Sequence, residues 1–98
     1  RYFRAGESEY LINRKAVHDP YIAVISCASA QVEKSATKYL LQNVEKAVIK
    51  SKTAQNGNIE MTWEIRLLKN DTDFITGLSE MEGVNSAVLV SYNGDYLG

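Results

Sequence analysis

Met81-Glu82-Gly83-Val84-Asn85-Ser86-Ala87-Val88-Leu89-Val90-Ser91-Tyr92 reads as the end of a short helix, a glycine stop and a buried strand. Glycine takes the left-handed conformation that ends a helix without steric cost, and the apolar run behind it suits a closing strand. A helix that stops on Gly-Val and passes straight into a strand is a habit of small βαββαβ domains. Upstream, Phe74, Ile75, Leu78 and Met81 form one apolar helical face, and Asp71 is expected to cap it.

Further upstream lies the clearest period-2 signal of the chain. Ile59, Met61, Trp63, Ile65 and Leu67 alternate with Glu60, Thr62, Glu64 and Arg66, a strand with one wet face. Ala47, Ile49, Ser51 and Thr53 alternate similarly, and Asn56-Gly57 between the two runs calls for a hairpin. A two-residue turn would set Lys52 opposite Met61. A three-residue loop, Gln55-Asn56-Gly57, instead pairs Ala54 with Asn58, Lys52 with Glu60 and Ile49 with Trp63, and is the register expected here. Lys46, Lys50 and Lys52 mark the earlier strand as an edge guarded by charge.

At the front, Pro20 opens a nearly all-apolar run, Tyr21-Ile22-Ala23-Val24-Ile25-Ser26-Cys27, expected to be a central strand. Ser29 is a good N-cap, and Val32, Ala36, Tyr39, Leu40 and Val44 then recur on one helical face, predicting a helix over about Ala30–Val44. The order is β-α-β-β-α-β. Right-handed crossovers make it an α+β, ferredoxin-like two-layer sandwich with an antiparallel four-stranded sheet, order 4-1-3-2, and two helices on one face. Residues 20–98 are assigned to this domain. Residues 1–19 mix Arg and Lys with aromatics and read as an N-terminal arm or linker, with a juxtamembrane segment as the sharper alternative. The chain begins at Arg1 rather than Met and is expected to be a piece of a longer protein.

Composition narrows the function classes. At 98 residues the chain suits one core, and 45% hydrophobic with 23% charged residues is ordinary globular composition. A net charge of −1 offers no footprint for nucleic acid. No run of about 18 apolar residues is present to span a membrane. Cys27 is the single cysteine, so no intrachain disulfide can form, and its apolar context predicts a buried thiol. His18 is the single histidine, with no second imidazole or cysteine motif to build a metal site. Asp71 and Asp73 are explained by helix capping, and Glu80 and Glu82 by a solvated helix end. No Cys-x-x-Cys stands in the loop used by metal-carrying versions of this fold. No arginine stands in Ala28-Ser29-Ala30-Gln31, where an acylphosphatase would need one. No aromatic RNA platform is expected, because Trp63 faces the helices and Glu60 and Glu64 would repel phosphates. Catalytic residues, cofactors and metals are therefore expected to be none, and the domain is read as no enzyme.

Ile49-Lys50-Ser51-Lys52-Thr53, Ile59 to Ile65, Met81 to Leu89 and Ser91-Tyr92-Asn93-Gly94-Asp95-Tyr96 together resemble the soluble C-terminal domain of a bacterial inner-membrane family of unknown function. Its members are often encoded beside VTC-type polyphosphate-polymerase-like proteins. The Gly83-Val84 ending is also similar to ACT domains and to the ACT-like tail of MgtC-type membrane proteins. The resemblance covers roughly residues 44–96 and brings no catalytic residues. It implies a regulatory domain at the cytoplasmic face of the bacterial inner membrane, tethered through segments outside this chain. ACT domains that bind amino acids usually carry a glycine after the first strand, and Cys27-Ala28-Ser29-Ala30 lacks it.

The first and last strands are apolar on both sides, so the helix-free sheet face is expected to carry an apolar strip beside a charged one. Ile22, Val24, Val88 and Val90 are the expected centre of an interface. The partner would be a second copy or another protein, with cover by residues 1–19 the equal alternative. A different class of function, a small-ligand sensor, would place an anion at Ser29, Ala30 and Gln31, where a helix start offers free N–H groups.

Overall fold

The computed structural model describes residues 20–68 and 71–91. The elements are β1 (Pro20–Cys27), α1 (Ala30–Asn43), β2 (Val44–Gln55), β3 (Asn58–Leu67), α2 (Asp73–Ser79) and β4 (Val84–Ser91). The strands form one antiparallel sheet in the order β2-β3-β1-β4, which is the expected 4-1-3-2 read from the other end. The arm over residues 1–19, His18, and the turn at Asn93-Gly94-Asp95 lie outside the described residues.

One face of the sheet makes the core with both helices. Ala23, Ile25 and Cys27 of β1 and Met61, Ile65 and Leu67 of β3 are fully buried beside Ala36 and Leu40 of α1 and Leu78 of α2. Alternation explains the list: every second residue of a strand points the same way, and these sets share one parity. Trp63 lies in this core as expected, although its indole N–H has no hydrogen-bond partner among the described residues. An orphaned buried donor of this kind costs about 1–3 kcal/mol.

Helix α1 begins as the sequence predicts. Ser29 holds an extended backbone, and its hydroxyl accepts a hydrogen bond from the Val32 N–H at 3.2 Å. The helix ends at Asn43, and Val44 already belongs to β2. Helix α2 is shorter than expected, because Met81 falls beyond its end at Ser79. The residue before it is Thr72, which makes no side-chain cap; the Asp71 carboxylate instead accepts the Asp73 N–H at 2.9 Å. Gly83 does close this segment, with φ +91°. A Cβ there would also strike the Val32 side chain, so the position needs glycine both for its backbone and for the approach of α1.

The hairpin corrects one expectation. Gln55 pairs with Asn58 and Ala54 with Ile59, so the turn has two residues, Asn56 (φ 54°) and Gly57 (φ 86°). Positive φ at both centres is the mirror-image turn whose twist matches a hairpin, and Asn-Gly is its favoured pair. Lys52 therefore stands opposite Met61, on the helix side rather than the open face, and Thr53, not Lys52, faces Glu60. Lys52 tolerates this because its ammonium pairs with Glu33 of α1 at 2.6 Å. A register shift between Ile49 and Ser51 then restores the expected Ile49–Trp63 pair.

Candidate interaction surface

On the face away from the helices, cross-strand neighbours run in rows. Val48, Glu64, Ile22 and Val90 form one row, and Ser51, Thr62, Val24 and Val88 the next. Each row passes from a polar residue of β3 to apolar residues of β1 and β4, and in the first row β2 adds an exposed Val48. On the β2–β3 side, Glu64 lies between Lys50 and Arg66, with N···O distances of 3.7 Å to both. On the β1–β4 side, the four residues expected as an interface centre stand together: Ile22 opposite Val90, and Val24 opposite Val88. Val88 is 48% exposed and Val90 40%, while Ile22 and Val24 are half-buried. Burying a Val side chain from full exposure stabilises by roughly 1.5–3 kcal/mol, so covering either valine would gain roughly 1 kcal/mol. Ser26 and Ser86 end the patch.

The residues expected at a ligand site meet only in part. Ser29 and Gln31 line an open cleft of about 700 Å³ with Val32, Met81, Glu82 and Gly83, and Ala30 is not in the lining. The Ala28 N–H donates to the Gly83 carbonyl at 2.8 Å and ties the two loops together. The Ser29 hydroxyl is committed to its cap, and its carbonyl accepts the Glu33 N–H at 3.0 Å. The Glu82 carboxylate at the rim opposes an anion.

Asp71 and Asp73 border a cleft of about 330 Å³ with Tyr39, Asn43 and Phe74. The Asp71 carboxylate is occupied by the Asp73 N–H, which supports capping rather than cation binding. Among the described residues no group of three His, Cys, Asp or Glu converges on one point. Cys27 is buried; burial pushes its thiol pKa up, and the Glu33 charge adds to the rise. Such a thiol is less ionised than a free one, the opposite of an activated nucleophile.

Leu41 is a feature that the helical stripe did not reveal. It is 51% exposed and lines a groove of about 570 Å³ with Glu33, Thr37 and Lys52, between α1 and the β2 edge. The signal was available, since Leu41 is an apolar helix residue lying off the Val32–Ala36–Tyr39–Leu40 face that packs on the core.

No helix among the described residues is long and apolar enough to cross a membrane. No protein-family model matches the sequence, and no curated protein matches it. Among solved structures, the fold is similar to the C-terminal domain of the MgtC protein from Mycobacterium tuberculosis, determined in solution. The TM-score is 0.62 and the identity 14%, over 84% of this chain and 96% of that one. The chain thus shares the ferredoxin-like α+β fold of an MgtC C-terminal domain, as its closing Gly-Val and strand suggested.

Proposed function

We propose that this is a non-enzymatic interaction and regulatory domain of a larger, membrane-anchored bacterial protein, working at the cytoplasmic face by dimerisation or partner docking. The observation that carries it is the patch of Ile22, Val24, Val88 and Val90, contiguous on a face that no helix among the described residues covers. Exposed apolar side chains gathered in one place mark a contact surface more often than scattered ones do. The membrane anchor is supported by the fold shared with a domain of MgtC and by the resemblance carried in residues 44–96. Sedimentation across a concentration series tests the reading, with Val88→Lys as the comparison. The expected result is self-association, or capture of a physiological partner, that Val88→Lys removes without lowering the unfolding midpoint. Unfolding of the variant would make Val88 a core residue and end the proposal.

A second reading, a small-ligand sensor, is supported by the cleft that joins Ser29 and Gln31 to the Gly83 loop. A ligand at 100 times its dissociation constant would stabilise the domain by about 2.7 kcal/mol. A thermal-shift screen of amino acids and small anions with no shift would remove it.

A further inference from the structure

The two edges of the sheet are built differently. Strand β2 carries Glu45, Lys46, Lys50 and Lys52, and two register shifts interrupt its pairing with β3. Charge and irregularity are the devices by which an edge strand is kept from pairing with another chain. Strand β4, at the other edge, carries neither charge nor proline. Its one irregularity lies at its start, opposite Ser26 and Cys27, and Ser86 to Ser91 pair regularly with β1. Among the described residues no strand lies beyond it, so it presents a regular, uncharged row of backbone donors and acceptors.

We infer that a second copy of this chain pairs antiparallel along β4, joining two sheets into one of eight strands. This rests on the proposed assembly function and specifies its geometry. The occupant of such an edge is an extended strand, and β4 matches itself. Directly opposed residues of an antiparallel pair lie on the same face. With the two-fold axis at Leu89, Val88 opposes Val90 of the partner on the open face. Leu89 opposes Leu89 and Ala87 opposes Ser91 on the helix side. No charge meets another across this seam, and no apolar side chain but Ala87 faces a polar one. The patches of Ile22, Val24, Val88 and Val90 from the two copies then become one continuous strip, the docking surface of the dimer.

Amide hydrogen exchange, read residue by residue on the full chain at low and high concentration, tests the pairing. The expected result is at least tenfold slower exchange at alternate positions between Ser86 and Ser91 on association, with β2 amides unchanged. A charge pair adds a second readout. Val88→Lys with Val90→Glu places opposite charges across the seam and should keep the dimer, whereas Val88→Lys with Val90→Lys should weaken it at least tenfold. Association with unchanged β4 amides, or equal loss in both double variants, overturns edge pairing and leaves open-face contact standing. A monomer at all concentrations also overturns it, whether or not its β4 amides are already protected by the chain's own residues, and docking to another protein is then tested separately with Val88→Lys.

Discussion

The β2–β3 half of the sheet and the β1–β4 half stand in the same molecule and meet water differently. On the open face the first half is mostly polar, Glu64 lying between Lys50 and Arg66 with Val48 a single exposed apolar neighbour. The second half shows water Ile22, Val24, Val88 and Val90. The inner strand of each half, β3 and β1, buries its other face in the same core, so the core does not explain the difference. A sheet that needed only to fold could alternate apolar and polar residues throughout, as β3 does. The departure in β1 and β4 is what points to a partner.

The largest effect should separate the two faces of one strand. Ile25→Ala removes a fully buried side chain from β1 and should cost about 2–5 kcal/mol in urea unfolding, while Val24→Ser on the open face should cost under about 1 kcal/mol. Equal costs would mean that the open face is packed like the core.

Next comes the contrast between halves. Val88 and Val48 are similarly exposed on the same face, at 48% and 45%, in β4 and β2. Val88→Lys should weaken self-association at least tenfold, about 1.4 kcal/mol, and Val48→Lys should leave it unchanged. Sedimentation showing the reverse would move the interface to the charged half.

A smaller effect concerns the ion pairs. Lys52→Ala removes the partner of Glu33 and should cost about 1 kcal/mol or less. Lys50→Ala, on a longer and more exposed contact to Glu64, should cost less still by the same measurement.

The smallest effect is a pH dependence rooted in Cys27, whose folded pKa is raised by burial and then by Glu33. An unfolded thiol ionises near ~8.5, so above that pH the unfolded chain holds fewer protons than the native one. The thiol's contribution to stability is therefore fully present below about pH 8.5 and lost as pH rises through the folded value. Denaturation of the wild type at pH 7 and pH 9.5 should show this fall, and Cys27→Ala should lack it.

The hairpin shows where reading the chain stopped. Asn56-Gly57 announced a turn, but the alternatives for its length differed by where Lys52 would point. Pattern alone argued against a lysine opposite Met61, and only Glu33, 19 positions earlier on α1, makes that place acceptable. The register shift that then restores Ile49 to Trp63 is equally invisible in alternation, because a bulge changes parity without a distinctive residue. Asp71 shows a milder case: its carboxylate does hold a nearby N–H, but one residue away from the capping position that its type suggested.

What the sequence determined by itself was the order of elements, the core parity of β1 and β3, the cap at Ser29 and the stop at Gly83. These follow from periodicity, branched side chains and backbone sterics, which act between near neighbours along the chain. The tertiary structure alone decided that the hairpin turn has two residues, that Lys52 lies on the helix side against Glu33, and that a register shift returns Ile49 to Trp63. Those outcomes depend on which strands become neighbours and which charges meet across the sheet. They are set by burying one common core, not by any local stretch of residues.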